Sequence, residues 1–382
     1  MTISLGIVGV GSFGSGFIGL FQKHPLVHRL ALCDVQAQRL ATRAGQFGIT
    51  ETYAGLDEIC RSDLDALAIF TQPWLHAPQI VQALEAGKHV YSAVPVASSH
   101  DGDESLEWCD RVIATCRRTG LHYMMGETSH YRPEAMYCRR RAAAGDFGRF
   151  VHAEGAYVHD VDWPPCSLRD VYKARWGPNW NPRKDGSPPM YYPTHSTGGF
   201  LSVMPAHVTE LSALGYHDPD DNFHRADTES GNVFGNEIAL MRLSNGATAT
   251  IKEYRRIGAW GFEGFSLLGT NASFINSFDV CRWMSREQPP GAPLTDDEMR
   301  DPLPPAVAEA FRDESGETQY GGHGGSHAYL VHEFVDAVAY DRHPSINAWQ
   351  AVRYLAPGII AHQSALRAGE LLKVPDWGDA PA

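Results

Sequence analysis

The chain has 382 residues, of which 43% are hydrophobic, and 45 acidic against 32 basic residues give it a formal net charge of −13. This length and apolar content suffice for two folded domains. The negative charge argues against nucleic acid or an anionic membrane surface as a partner. Because no apolar run is long enough to span a bilayer and the first residues do not resemble a signal peptide, we expect a cytoplasmic protein.

The chain begins with a glycine-rich turn. Residues 5–10 are an apolar run typical of a buried strand, and residues 9–14 read Gly-Val-Gly-Ser-Phe-Gly. Gly9 permits a tight turn, Gly11 lets the backbone approach a pyrophosphate, and Gly14 lets the following helix pack closely on the strand. The pattern predicts a dinucleotide site with contacts from Gly9, Gly11, Ser12, Phe13 and Gly14.

Asp34 ends the next predicted strand, residues 28–34, and follows Gly14 by 20 residues. A carboxylate at this place accepts hydrogen bonds from the ribose hydroxyls and repels a 2′-phosphate. The predicted cofactor is therefore NAD rather than NADP. A glycine-rich turn followed by a surface aspartate is the purely structural alternative.

Strands and helices continue to alternate after Asp34. The predicted helices and strands cover residues 39–48, 66–70, 78–85, 88–91, 105–118 and 121–125. Repeated strand–helix units are typical of a doubly wound parallel sheet, in which ligands bind at the carboxyl ends of the strands. The predicted cofactor contacts therefore extend to Thr71, Pro73, His76 and Pro95.

The sequence changes in character after about Glu127. Four segments with alternating or β-branched residues follow, at 150–159, 236–242, 247–254 and 262–268. They predict an antiparallel sheet. The predicted fold is α/β, with an N-terminal Rossmann domain of residues 1–126, built on a doubly wound parallel sheet, and a C-terminal α+β domain of residues 127–382 with a large, mostly antiparallel open sheet. An open sheet tends to bury its face or edge against a partner, so we expect a homo-oligomer.

Residues 164–193 are rich in Pro, Trp, Arg and Lys and predict a long ordered loop over a site. Basic residues of this kind usually form a solvated face. Between tryptophans of an acidic protein they could instead bind an anionic sugar. The predicted substrate contacts here are Lys173, Arg175 and Trp176, with Arg183 and Lys184 in the same loop.

The cysteines and histidines give little sign of a metal site. Seven cysteines are scattered without any C-x-x-C pair, which favours reduced thiols over a disulfide framework or structural zinc. His323, His327 and His332 are close in sequence, but the last two are five residues apart on a predicted helix and do not share one face. We therefore predict no metal and favour substrate contact by His323 or His327, with simple surface placement as the alternative.

Several of these features together resemble the glucose-fructose oxidoreductase, inositol dehydrogenase and MocA superfamily. They are the glycine pattern, Asp34, the strand-end Thr-Gln-Pro with His76, and the Gly-Lys-His-Val strand at 87–90. The superfamily usually has Glu-Lys-Pro after that strand, with the lysine at the reacting hydroxyl, but residues 93–95 are Ala-Val-Pro. This departure weighs against an ordinary dehydrogenase.

A second departure concerns the superfamily's later aspartate and histidine, which follow a Gly-Gly pair. Counting from the pair at 198–199 puts Val203 at the aspartate and His207 at the histidine. The resemblance therefore implies that His207 contacts substrate, without the aspartate that accompanies it elsewhere.

A narrower resemblance accounts better for both departures. The chain is similar to the NAD-dependent glycoside hydrolase branch, which includes bacterial α-N-acetylgalactosaminidases, in four segments in the same order: 124–127, 154–160, 192–195 and 324–327. The resemblance implies that tightly held NAD oxidises the sugar at C3, the aglycone is eliminated across C1 and C2, water adds, and C3 is reduced again. It also implies the catalytic residues Glu127, Tyr157, Tyr192 and His195.

The chemistry of these four side chains suits that cycle. His195 titrates near neutrality and can take the hydroxyl proton. A C3 ketone acidifies the C2 proton, which Tyr157, or Tyr192 with it, can remove if a neighbouring cation lowers the tyrosine pKa. Glu127 can orient the sugar or shuttle a proton to the departing oxygen. The structural alternatives are a turn histidine, a core tyrosine and a glutamate that only caps the next segment.

Two other functions remain open. One is an NAD-dependent dehydrogenase of a sugar or sugar derivative, with His195 as the sole base, and the other is an inactive NAD-binding sensor. The missing lysine counts against the dehydrogenase, and the Tyr-Pro-Thr-His segment at 192–195 counts against the sensor. The predicted function is therefore an NAD-dependent glycoside hydrolase acting on a small-molecule glycoside.

Overall fold

The N-terminal third of the chain forms one parallel sheet with helices. A computed structural model describes residues 1–165, 167–176, 188–228, 230–259, 261–287 and 291–381. The strands are Ile3–Val8 (β1), Val27–Cys33 (β2), Thr52–Tyr53 (β3), Ala66–Ile69 (β4), His89–Ser92 (β5) and Tyr123–Met125 (β6). The helices are Ser15–Lys23 (α1), Ala37–Phe47 (α2), Leu56–Cys60 (α3), Pro73–Glu85 (α4) and Gly102–Thr119 (α5).

The six strands lie in the order β3-β2-β1-β4-β5-β6, and every pair is parallel. The order reverses between β1 and β4, which opens a crevice at their carboxyl ends. β1 is buried along its whole length, because helices cover both faces of the sheet, and this explains its unbroken apolar sequence. The predicted doubly wound sheet is confirmed.

The second half of the chain builds a larger sheet. Its strands are Phe150–His159 (β7), Val208–Tyr216 (β8), Asn236–Leu243 (β9), Thr248–Tyr254 (β10), Gly261–Gly269 (β11), Ala272–Ser277 (β12), Val280–Ser285 (β13) and Leu372–Lys373 (β14). They lie in the order β13-β12-β11-β7-β10-β9-β8-β14, and only β7 and β10 pair in parallel. The predicted mostly antiparallel open sheet is confirmed.

The same part of the chain also contains helices. They are Pro133–Ala143 (α6), Leu168–Trp176 (α7), Thr194–Leu201 (α8), Asp296–Met299 (α9), Pro305–Ala310 (α10), Ser326–Ala339 (α11) and Ala348–Leu366 (α12), with short 3₁₀ helices at Thr128–Tyr131 and Pro189–Tyr191. Buried side chains of both halves form one continuous core. The domain boundary at 126/127 therefore stays a prediction. Each helix in the described part of the chain is too short or too polar to traverse a lipid bilayer.

Two predicted loops contain helices. The predicted loop at 164–193 includes α7 and a 3₁₀ turn, while its residues 177–187, among them Arg183 and Lys184, lie outside the described residues. The turn that the structural alternative assumed for His195 is also helical, because Thr194 begins α8. Pro193 precedes the first helical residue, where its missing N–H costs no hydrogen bond.

Prediction one compares two glycines at the start of α1. A methyl group at Gly14 would lie 2.1 Å from the Gly9 carbonyl oxygen, whereas at Gly16 it would meet nothing within 4 Å. We expect Gly14→Ala to lower the free energy of unfolding by about 2 kcal/mol or more, because β1 and α1 must separate. Gly16→Ala should raise it by about 1 kcal/mol through helix propensity. Urea unfolding measures both; equal stability of the two variants would contradict the close packing of the turn.

Candidate functional site

A cleft opens at the carboxyl ends of β1 and β4 and faces α8. It encloses about 1250 Å³, its open mouth included. Its lining includes nine of the predicted cofactor contacts: Gly9, Gly11, Ser12, Phe13, Gly14, Asp34, Thr71, Pro73 and His76. From the part of the chain that follows the parallel sheet it receives Arg175, Tyr192, His195 and His323.

The glycine-rich turn has the shape that a pyrophosphate needs. Gly9 has a φ of +89° and packs against the Phe70 backbone, and Gly14 packs against the Gly9 carbonyl oxygen. Gly11 is different, since a Cβ added there would meet nothing nearer than a guanidinium nitrogen of Arg39 at 4.0 Å. Its bare backbone therefore faces open space just before the N-terminus of α1, where phosphate oxygens are favoured.

Hydrogen bonds fix the carboxylate of Asp34 just after the end of β2. Its side chain is 4% exposed, and it accepts hydrogen bonds from the backbone N–H groups of Val10 (3.1 Å) and Gln36 (2.8 Å). The guanidinium of Arg39 lies 3.4 Å from the same carboxylate. These contacts fix the carboxylate at the ribose end of the cleft. The residues of the turn and Asp34 together fit NAD.

Both ring nitrogens of His76 lie close to backbone carbonyl oxygens of the protein itself. Its Nδ1 lies 2.8 Å from the carbonyl oxygen of Pro95 and its Nε2 lies 3.0 Å from that of Thr71. Burial lowers the pKa of His76, and a neutral imidazole can donate only one of these two hydrogen bonds. His76 thus joins two strand-end loops beneath the cleft. Pro95 takes part through this carbonyl and does not itself line the cleft.

Glycines allow α8 to lie close to its neighbours. A Cβ at Gly155 of β7 would lie 1.8 Å from the Ser196 carbonyl oxygen, and one at Gly199 would lie 2.4 Å from the Phe265 ring. A Cβ at Gly198 would lie 2.7 Å from Cγ of Glu127. The Gly-Gly pair at 198–199 therefore lies where α8 contacts Glu127 and the Phe265 ring.

His195, in the first turn of α8, lies between two carboxylates. Its Nδ1 is 2.8 Å from Oε1 of Glu127 and 3.5 Å from Oε1 of Glu263. Glu127 has no exposed surface, and His195 is 9% exposed. Because Nδ1 faces the carboxylates, Nε2 is the ring nitrogen left for a ligand in the cleft.

The pair is charged despite its burial. Burial works against both charges, but the opposite charge of its partner and the hydrogen bond between them prevail. The pKa of Glu127 is lowered as a result and the pKa of His195 is raised. The Glu127 carboxylate also accepts the Ser129 N–H at 2.9 Å, so the capping alternative is true as well.

Glu263 and Arg132 complete the charge balance. The guanidinium of Arg132 donates to Oε2 of Glu263 at 2.7 Å and to its carbonyl oxygen at 2.9 Å. The two side chains are 18% and 12% exposed. Sequence reasoning missed both residues, because Arg132 and Glu263 meet only through the pairing of distant elements.

Two tyrosines flank His195. The Tyr157 ring centroid is 5.0 Å from that of His195, and the Tyr192 centroid is 5.2 Å away. Both rings meet the imidazole edge to face. Burial raises the pKa of Tyr157 to about 12 and that of Tyr192 well above its usual value. The expected lowering by a neighbouring cation is thus outweighed by burial in both cases.

The expected cations are nevertheless present. The Arg255 guanidinium lies 4.4 Å from the centre of the Tyr157 ring and donates to Glu253 at 2.6 Å. Both are buried within β10 and its end, at 3% and 0% exposure. The alternating pattern of β10 could have pointed to these two residues. Glu253 falls on the inward face of β10, as Ile251 does, and a buried charge there requires a partner.

His323 presents a fixed hydrogen-bond donor. Nδ1 of His327 accepts the Gly322 N–H at 3.2 Å, so its Nε2 bears the proton and donates to Nδ1 of His323 at 3.0 Å. Burial lowers the pKa of both rings to about 4. His323 therefore carries its own proton on Nε2 and lines the cleft as a neutral donor.

Three predicted substrate contacts lie elsewhere or are only partly described. His207 does not line this cleft, because its Nε2 lies 3.7 Å from Asp376 and both residues line a separate cavity. Lys173 is exposed and does not line the cleft. Trp176 ends α7, but its side chain lies outside the described residues.

Glu127, His195 and Glu263 have ligand atoms within 4.8 Å of one another, a spacing that a metal ion could bridge. The positive charges of His195 and Arg132 already balance the two carboxylates. The site is therefore electrostatically complete without an ion. That the protein needs no metal stays a prediction.

Comparison with known proteins agrees with this geometry. Residues 3–127 match the family described as oxidoreductase family, NAD-binding Rossmann fold. The N-terminal part of the chain, which contains the parallel sheet, is therefore similar to NAD-binding Rossmann folds. The predicted cofactor NAD and the resemblance to the glucose-fructose oxidoreductase, inositol dehydrogenase and MocA superfamily are confirmed for this part of the chain.

Relatives and solved structures extend the likeness. The chain is 30% identical over 216 residues to a glycosyl hydrolase family 109 protein of Shewanella woodyi and 31% identical over 224 residues to an alpha-N-acetylgalactosaminidase of Bacteroides fragilis. These matches cover 53% and 54% of this chain but only 44% and 49% of the relatives, so the chain spans about half their length.

Two solved structures match nearly end to end. A levoglucosan dehydrogenase in complex with NADH has a TM-score of 0.77 at 18% identity and covers 98% of this chain and 100% of its own. An oxidoreductase domain protein from Kribbella flavida has the same TM-score, identity and coverage. At this identity the likeness establishes the fold.

Prediction two concerns the buried ion pair. The raised pKa of His195 contributes stability that is complete below the unfolded value of 6.5 and is lost as pH rises through the folded one. The lowered pKa of Glu127 contributes stability that is complete above 4.5 and is lost as pH falls. We expect Glu127→Gln to lower the pKa of His195 and to cost about 3 kcal/mol, most between those two pH values.

NMR titration of the His195 ring and urea unfolding at several pH values measure the two effects. The control is Glu154→Gln, whose carboxylate is 48% exposed and pairs with Lys252 on the surface of the sheet. An unchanged His195 pKa in Glu127→Gln would contradict the assignment of a charged pair.

Proposed function

We propose that this protein is an NAD-dependent glycoside hydrolase that oxidises its sugar transiently at C3. The observation that supports it most is the Glu127–His195 pair, which faces the cofactor cleft with a tyrosine on either side. NAD bound in the cleft would supply the acceptor for the C3 hydrogen and its return at the end of the cycle. The catalytic assignments of Glu127, Tyr157, Tyr192 and His195 belong to this proposal.

His195 takes the proton of the sugar hydroxyl at Nε2. The two carboxylates beside Nδ1 stabilise the imidazolium that forms, which makes the ring a stronger base. The same carboxylates keep the ring protonated in the resting site. The reaction therefore uses the neutral fraction of His195, and the rate of C3 oxidation rises with pH toward the raised pKa of the ring.

Neither carboxylate is free to act as in an ordinary glycosidase. Such enzymes place one carboxyl group as an acid and another as nucleophile or base on either side of the glycosidic bond. Here Glu127 is fully buried and bonded to His195 and Ser129, and Glu263 is paired with Arg132. A route through a C3 ketone needs no such pair, because the C2 proton becomes acidic enough for a weaker base.

The substrate is proposed to be a small-molecule glycoside. Relatives that match half of the chain are named for glycoside hydrolysis, which supports this class. An anionic sugar would meet Arg175, whose guanidinium lies 5.2 Å from the centre of the Phe13 ring in the cleft. His323 would donate from its Nε2 to a sugar oxygen.

The protein is also proposed to be a homo-oligomer. Strands β8 and β9 expose four apolar side chains on the open face of the large sheet, namely Leu214, Tyr216, Ile238 and Leu240. A second copy covering this face would remove them from water. A cytoplasmic location stays a prediction.

Prediction three tests the reaction class. Aryl α- and β-glycosides, neutral and uronic, are incubated with the protein and NAD in deuterated water. We expect aglycone release with deuterium at C2 of the product sugar and no accumulation of NADH. NMR of the product sugar detects the deuterium at C2, and the absorbance of NADH shows whether reduced cofactor accumulates.

Stoichiometric NADH without aglycone release would contradict the proposal and favour a sugar dehydrogenase. NAD binding without any turnover of the panel would favour the sensor.

A further inference from the structure

Two side chains of β7 point to the same face of the large sheet. Tyr157 and His159 are two residues apart, and successive side chains of a strand alternate between faces. The Tyr157 hydroxyl lies 3.1 Å from Nδ1 of His159, and the two rings meet at 78°. Within the described part of the chain the hydroxyl has no other hydrogen-bond partner.

Tyr157 on its own is a poor base. Burial raises its pKa to about 12, although Arg255 and Arg175 pull it down. At neutral pH roughly one molecule in 10⁵ would hold a tyrosinate at this position. Arg255 stacks on the face of the ring rather than at the hydroxyl, so it cannot accept the phenolic proton.

The charges around the ring come from every element packed on it. β10 and its end provide Glu253 and Arg255, β11 provides Glu263, α7 provides Arg175 and α8 provides His195, while Tyr192 lies two residues before α8. Glu263 is bound to Arg132 and His195 to Glu127, and within the described part of the chain the phenolic hydroxyl makes no hydrogen bond to either of them. An imidazole nitrogen at hydrogen-bond distance is the group suited to share this proton.

We propose that His159 is a positioning residue that receives the phenolic proton of Tyr157, so that the two side chains form a proton relay for the C2 step. The inference rests on the proposed function. The Tyr157 oxygen takes the C2 proton while its own proton passes to Nδ1 of His159. The electron pair of the C2–H bond forms the C1–C2 double bond, and the C1–O bond breaks, with its electron pair leaving on the aglycone oxygen.

The relay runs in reverse when water adds. A water oxygen bonds to C1, and C2 regains a proton from Tyr157. His159 then returns its proton to the phenol, and the proton released by water leaves to solvent. No oxidant or reductant takes part in these steps, so atoms and electrons balance within the sugar, water and the two side chains.

His159→Gln tests the relay in the whole 382-residue chain with NAD, using the aryl glycoside that the wild type cleaves. We expect deuterium uptake at C2 and aglycone release to fall about 100-fold or more. The C3 ketone, trapped by quenching with borodeuteride, should reach at least the wild-type level. The matched control is His152→Gln on the same strand, where the ring bonds to Thr248 on the surface and the variant should keep wild-type rates.

Wild-type C2 exchange in His159→Gln would overturn the inference. An equal fall in C2 exchange and trapped ketone would also overturn it, because a structural role lowers both. A wild type that exchanges no C2 proton with any glycoside would overturn the proposed function itself, and the inference with it.

A second measurement needs no turnover. If Tyr157 donates to Nδ1, the neutral His159 ring bears its proton on Nε2, which ¹⁵N NMR of labelled histidine reports. A proton on Nδ1 in the wild type would reverse the direction of the hydrogen bond and overturn the relay.

Discussion

The hydrogen bond between Glu127 and His195 joins the two halves of the molecule at the point where chemistry is proposed. Glu127 follows β6, the last strand of the parallel sheet, and His195 stands in the first turn of α8. A buried charge of either sign alone would cost several kcal/mol. Each charge therefore requires the other, and the position of α8 against the nucleotide domain is fixed by this requirement.

The close approach of α8 to its neighbours depends on three glycines, and a second ion pair lies beside it. Gly155, Gly198 and Gly199 leave the space in which the helix contacts β7, Glu127 and the Phe265 ring. A second ion pair, Arg132 with Glu263, holds the other carboxylate beside the same imidazole. The result is a histidine whose Nδ1 is committed to the protein and whose Nε2 is free for a ligand beside the cofactor cleft.

Short sequence patterns were enough to predict the N-terminal parallel sheet and the glycine-rich turn at its edge. The glycine turn, Asp34 and the strand–helix alternation are short-range features, and the structure places them as predicted. The second half was harder, because its site is assembled from distant segments. Glu263 and Arg255 meet Tyr157 only through strand pairing, and counting along the chain could not show that His207 lies beside Asp376 in a separate cavity. The condition of a lowered Tyr157 pKa could not be checked from the sequence either, since the burial that raises this pKa is a property of the whole fold.

The central claim is that NAD bound in the N-terminal part of the chain takes the hydrogen from C3 of the sugar and later returns the same hydrogen to C3. An aryl glycoside labelled with deuterium at C3 tests it most directly, with one equivalent of NAD per protein. The account predicts that the free sugar keeps the deuterium at C3 over many turnovers. Loss of the label to bulk nucleotide, with an unreduced C3 ketone as product, would contradict it.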